Sequence, residues 1–231
     1  MRTLGIIGGI ASESTVDYYR RIIVAYRAAR PDGSYPKVFI NSLDMSQLLA
    51  LAGANDLIAM TEYLVQEVAV LARAGADLAI FASNTPHLVF DAVQKRSDIP
   101  LVSIVEATCA VAYSRGLRRV GLLGTKFTMQ SSFYADVFEA RGIAVVPPEP
   151  AEQEFVHSKY MGELIQGVFL PETRDRILSI VETMRQREGL DAVVLAGTEL
   201  PLLLRSDFAG DIPLLDTTAV HVDAAIQRML A

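Results

Sequence analysis

The chain has 231 residues, 51% hydrophobic and 21% charged, with a formal net charge of −6. That composition excludes disorder as a description of the whole, and the acidic balance excludes the concentrated positive field that non-specific nucleic-acid binding requires. No apolar run approaches the ~20 residues of a membrane span, and the start, Met-Arg-Thr-Leu-Gly, lacks a signal-peptide pattern, so the expectation is a cytoplasmic protein with no membrane partner.

In chain order, Leu4 to Ile7 is a short apolar run closed by Gly8-Gly9, and Ser14 to Arg27 carries helical spacing through Val16, Tyr19, Ile23 and Tyr26. Val38 to Leu43 predicts the next strand, Leu57 to Ala74 a long amphipathic helix, and Leu78 to Ala82 a buried strand ending at Ser83. The alternation continues to a helix after Asp216, patterned by Val220, Ala224, Ile226 and Met229. Strand and helix in alternation predict parallel sheets with helical crossovers.

The chain also repeats itself. Asp77 to Ser83 (DLAIFAS) aligns with Asp191 to Gly197 (DAVVLAG), Asp98 to Val102 (DIPLV) with Asp211 to Leu215 (DIPLL), and Gly5 to Gly8 (GIIG) with Gly121 to Gly124 (GLLG). Three pairs in one order and nearly one spacing predict a duplicated unit. The expected fold is α/β, two similar doubly wound parallel-sheet lobes related by an internal pseudo-twofold duplication. Residues 1–105 plus 215–231 would form the first lobe and 106–214 the second. Ligands of open parallel sheets sit outside the carboxyl ends of the strands, which places the expected active-site crevice between the lobes.

Several segments at those ends could carry chemistry. Ser83-Asn84-Thr85-Pro86-His87 combines small polar groups with a proline suited to a first helical turn, and its backbone N–H groups could cradle a carboxylate or simply cap a helix. Gly197-Thr198-Glu199-Leu200-Pro201 is its counterpart, and Gly124-Thr125-Lys126-Phe127-Thr128 adds another glycine turn with hydroxyls. Gly8-Gly9 is followed by Ile10-Ala11-Ser12, so it meets neither the dinucleotide fingerprint nor the P-loop pattern, and no nucleotide cofactor is expected. One cysteine, Cys109, and three scattered histidines offer no metal spacing, and Cys109 reads as a small buried hydrophobe. Glu199, His87, His157, His221 and Asp216 are each open to a base or a structural reading. Lys126 could meet an anion or solvent. From Val38 to Ala72 there is no Lys or Arg.

These residues resemble the cofactor-independent aspartate/glutamate racemase family, more closely its broad-specificity amino-acid racemase branch. The motifs run from GIIGGIASESTVDYY at 5–19 through SNTPH at 83–87 and LGTKFTM at 123–129 to GTELP at 197–201. The resemblance implies two α/β domains in pseudo-twofold relation, no pyridoxal phosphate or other cofactor, a homodimer, and two cysteines that exchange protons on opposite faces of the α-carbon. Here the positions of those cysteines hold Ser83 and Gly197. A serine hydroxyl is far less acidic than a thiol, whose pKa is about 8.5, and glycine has nothing to exchange.

The binding residues that the resemblance implies remain: Ile10, Ser83, Asn84, Thr85, Thr125, Thr128 and Thr198. Some aspartate-preferring members carry a basic residue after the second strand, where this chain reads Asp44-Met45-Ser46-Gln47. The leading expectation is therefore an isomerase acting at the α-carbon of a small amino or carboxylic acid, with Ser83 and the position of Gly197 at its centre. Its base would be drawn from Glu199, His87 and His157. A decarboxylase or cis-trans isomerase of the same superfamily, and an inactive carboxylate-binding paralogue, are the alternatives.

Overall fold

Strand and helix alternate throughout the computed structural model, which describes all 231 residues. The chain divides into two units, Met1–Ile104 with Thr218–Ala231, and Val105–Thr217.

The first unit contains β1 (Leu4–Gly8), α1 (Ser12–Ala29), β2 (Val38–Ser42), α2 (Met45–Gly53), α3 (Leu57–Ala74) and β3 (Leu78–Phe81). A 3-10 turn over Thr85–Val89, α4 (Phe90–Arg96) and β4 (Leu101–Val102) follow. Its four strands are all parallel, in the order β2-β1-β3-β4. Side chains alternate across β1. Leu4 and Ile6 share a core with Tyr18, Ile22 and Tyr26 of α1, whereas a Cβ on Gly5 would lie 2.8 Å from Leu71 of α3. Helices therefore cover both faces, and this is why the strand reads as a continuous apolar run.

The second unit contains α5 (Ile104–Ser114), β5 (Arg119–Gly124), α6 (Lys126–Gln130), α7 (Phe133–Glu139), β6 (Ala144–Val146) and α8 (Pro150–Gly162). After these come α9 (Pro171–Glu188), β7 (Ala192–Ala196), α10 (Leu200–Leu204), β8 (Phe208–Ala209) and β9 (Ile212–Asp216). Its sheet order is β6-β5-β7-β9-β8. The first four repeat the parallel order of the first unit. The short edge strand β8 is antiparallel, an addition to the fully parallel sheet expected from sequence. The last helix, α11 (Thr217–Leu230), places Val222, Ala225, Ile226 and Met229 in the core built on Leu4, Ile6, Leu78 and Ile80. No helix is long and apolar enough to cross a membrane.

The repeated residues do repeated work. Asp77 accepts a hydrogen bond from the Thr3 N–H at 2.6 Å, and Asp191 accepts from the Arg118 and Arg119 N–H groups at 2.7 and 2.9 Å. Each aspartate thus tethers the start of the neighbouring first strand of its own unit. Gly5 and Gly121 also correspond, since a Cβ on Gly121 would stand 2.9 Å from Leu190 and 3.3 Å from Met184 of α9. Both glycines let a helix close onto the sheet.

The ends of α3 show how local chemistry sets an element. Asp56 caps it by accepting from the Ala59 N–H at 3.0 Å, and Gly75 closes it in the left-handed region with φ of 95°. Asp56→Ala is expected to cost about 1 kcal/mol, read as a lowered urea midpoint with unchanged slope.

Candidate functional site

Each unit carries a cluster of buried polar residues at the carboxyl ends of its two central strands. In the first, β1 and β3 pair through Ile7 and Phe81, and the Ala82 N–H donates to the Ile7 carbonyl at 2.9 Å. This registration brings the Gly9-Ile10 turn and the Ser83-Asn84-Thr85 segment to the same sheet edge. Ile10, Ser83, Asn84 and Thr85 are all buried. Gly9 holds a φ of 80°, its N–H donates to Thr15 Oγ1 at 2.8 Å, and a Cβ there would meet the Leu43 carbonyl oxygen at 2.4 Å.

Pro86 sits in the first turn of the 3-10 segment, where its missing N–H costs nothing. That turn carries His87 into the core. Its Nε2 accepts from the Ile104 N–H at 3.2 Å, which fixes the neutral tautomer with the proton on Nδ1. The ring stacks on Phe90 with centroids 5.0 Å apart. Burial and the neighbouring His221 hold its pKa down to about 3, against a weaker upward pull from the Asn84 and Ser83 backbone. Buried, with Nε2 taken by the Ile104 N–H and its ring against Phe90, His87 has the contacts of a packing residue, and so low a pKa suits a base poorly. His221 is likewise structural: Nδ1 lies 2.9 Å from the Tyr18 hydroxyl, Nε2 lies 2.8 Å from the Val102 carbonyl, and burial lowers its pKa to about 4.

In the second unit, β5 and β7 pair through Gly124 and Ala196. Gly124 must be glycine because a Cβ would stand 2.5 Å from the Ala196 carbonyl oxygen. Thr125 and Thr128, whose hydroxyls are 3.3 Å apart, therefore sit beside Gly197, Thr198 and Glu199. Glu199 is 1% exposed and is the one buried carboxylate of either cluster. It accepts from the Thr198 hydroxyl at 3.1 Å and, through a very short bond, from the Tyr160 hydroxyl. The Glu199 N–H donates to the same phenolic oxygen at 3.4 Å. Burial first, and then the charge of Glu199, push the Tyr160 pKa well above its usual value.

The remaining sequence candidates are more ordinary. His157 Nδ1 accepts from the Lys126 N–H at 3.2 Å, and burial lowers its pKa while Glu154 opposes the shift. Lys126 pairs with Glu154 at 3.0 Å in an exposed bridge. Asp216 closes β9, and the Thr217 hydroxyl bonds back to the Leu195 carbonyl at 2.8 Å. Cys109 is fully buried, with its thiol 3.5 Å from the Val137 carbonyl.

Tyr160, which contacts Glu199, is absent from the candidates that the sequence offers. It lies on the buried face of α8 with Gln153 and Val156, spaced as a core stripe would be. No signal in that helix marks it as anything but packing.

A model of the Asp/Glu/hydantoin racemase family matches residues 7–225. Broad specificity amino-acid racemase RacX of Bacillus subtilis (strain 168) is 22% identical over 233 aligned positions, covering 99% of this chain and 98% of the relative. Among solved structures, an aspartate racemase homologue from Pyrococcus horikoshii OT3 is 34% identical with a TM-score of 0.85, covering 100% of both chains. The aspartate racemase of Picrophilus torridus, at 22% identity and a TM-score of 0.80, shares the fold over 99% of this chain and 94% of its own.

Proposed function

The chain belongs to the Asp/Glu/hydantoin racemase family, and on that premise we propose that it moves the α-proton of a small amino acid without a cofactor. What supports this reading above all is the burial of seven polar residues at strand ends. Ser83, Asn84, Thr85, Thr125, Thr128, Thr198 and Glu199 are each at most 7% exposed. Burying so many polar groups in two small clusters is unfavourable unless they are hydrogen-bonded, to one another or to a bound ligand. Hydroxyls, an amide and backbone N–H groups suit a carboxylate and an ammonium group. By the family resemblance, Ser83 and Gly197 stand where thiols would act, and that assignment is part of the proposal.

The substrate side chain is uncharged on this reading. The Leu43 N–H donates to the Gly8 carbonyl at 2.9 Å, which sets the turn after β2 beside Gly9. That turn contributes Asp44, whose carboxylate caps α2 by accepting from the Ser46 N–H at 2.8 Å, and it contributes no cation. A second substrate carboxylate would meet negative charge there.

The experiment is deuterium incorporation at the α-carbon, followed by NMR across the common amino acids in deuterated water. Incorporation into at least one small uncharged amino acid is expected, at least tenfold faster than into aspartate. No incorporation into any of them would sink the reading. The homodimer implied by the resemblance and the cytoplasmic residence expected from the sequence also enter as proposals, checked by light scattering and by cell fractionation.

A further inference from the structure

Gly197 is not glycine for any reason of its own backbone. Its φ lies outside the left-handed region, so other residues could adopt its conformation. The obstacle is a single side chain. A Cβ at 197 would stand 2.5 Å from Cε2 of Tyr160, 3.0 Å from its hydroxyl oxygen and 3.1 Å from Cζ. The phenol thus occupies the volume into which a side chain at the end of β7 would grow.

The ring is also placed by polar contacts, not only by packing. Its oxygen touches the Glu199 carboxylate and lies 3.4 Å from the Glu199 N–H, and Glu199 is in turn held by the Thr198 hydroxyl. Tyr160 is 5% exposed and Glu199 1% exposed. A carboxylate buried to that extent keeps its charge only with strong donors, and a phenol is such a donor.

We propose that Tyr160 and Glu199 form the proton relay of the second unit, with the phenol reaching the substrate α-carbon across the backbone of Gly197. The inference rests on the reading above that the protein moves an α-proton. The step is balanced within the relay. The Cα–H bond breaks and its electron pair stays on carbon, delocalised into the substrate carboxylate. The proton passes to the Tyr160 oxygen while the phenolic proton passes to Glu199, which becomes a neutral carboxylic acid. Return of a proton runs the same path in reverse. The phenol stays uncharged at both ends of the transfer, in keeping with the burial and the anionic neighbour that oppose its ionisation. Tyr160 is the group that would touch substrate, and Glu199 acts through it as the proton store.

The test uses Tyr160→Phe and Glu199→Gln in the full chain, with α-deuterium exchange, its pH profile, and thermal shift by the amino acid that the wild type exchanges best. Exchange is expected to fall at least 100-fold in both variants while the thermal shift by that amino acid persists. The pH profile of whatever exchange Glu199→Gln retains is expected to differ in shape from that of the wild type. A third variant, Gly197→Ala with Tyr160→Leu, is expected to be more stable than Gly197→Ala alone, since the shorter side chain vacates the clashing volume. Exchange that survives Tyr160→Phe within threefold overturns the relay and leaves the reading of function intact. A wild type that exchanges nothing overturns both.

Discussion

Acidification from about pH 7.5 to about pH 4.5 is expected to remove roughly 5 kcal/mol of stability through His87 and His221 alone. Both imidazoles are buried and neutral in the folded chain, with pKa values of about 3 and about 4 against an ordinary 6.5. As the pH falls below 6.5 the unfolded chain takes up protons that the folded chain refuses. The contribution of each is therefore intact above that value and erodes as the pH drops, until the folded values are reached. The titratable neighbours are Tyr18, whose hydroxyl meets His221 Nδ1, and the two imidazoles themselves, with ring centroids 6.3 Å apart. Carboxylates with lowered pKa values, such as Glu182 at about 2 beside Arg185 and Gln186, lose their contribution only further down. Urea titrations at stepped pH would check this. His221→Gln is expected to cost stability at neutral pH and to halve the acid loss, and an unchanged slope would refute the assignment.

Gly9→Ala is expected to destabilise the first unit by about 3 kcal/mol or more. Two penalties coincide at this position. The φ of 80° suits glycine, and the added Cβ would fall 2.4 Å from the Leu43 carbonyl oxygen and 2.7 Å from the Leu43 nitrogen, both backbone atoms. Backbone cannot rotate away as a side chain can. Gly33 separates the two effects, since its φ is 82° but nothing lies within 4 Å of its Cβ position. Gly33→Ala should therefore cost only the conformational part, about 1 kcal/mol. Paired urea midpoints would show whether close approach or backbone conformation dominates. Equal losses at the two positions would mean that the contact with Leu43 relaxes freely.

Most of the architecture was legible because it is written in local periodicity and in the repeat. The helix at Leu57–Ala74 was bounded correctly because Asp56 and Gly75 end it through contacts within a few residues. The matching aspartates, 77 and 191, and the matching glycines, 5 and 121, announced two equivalent sheets before any strand was paired. The edge strand at Phe208–Ala209 was not visible, since two residues carry no period. Among candidate site residues, the segments from Ser83 and from Gly197 stood out because each follows a strand that the repeat defines.

His87 and Tyr160 mark the limit of that legibility. A histidine beside Asn-Thr-Pro looks like chemistry, yet its base strength depends on Ile104 filling Nε2 and on Phe90 and His221 covering the ring. A tyrosine in a helical stripe looks like packing, yet it lies across residue 197, almost forty positions downstream, against a buried carboxylate. The sequence by itself determined the duplicated α/β plan, the family and the polar segments at the strand ends, all carried by local pattern. Only the tertiary structure decided which titratable groups are neutral, and that Gly197 leaves room for Tyr160. Desolvation and close contact are set by residues distant in the chain, and no local pattern encodes them.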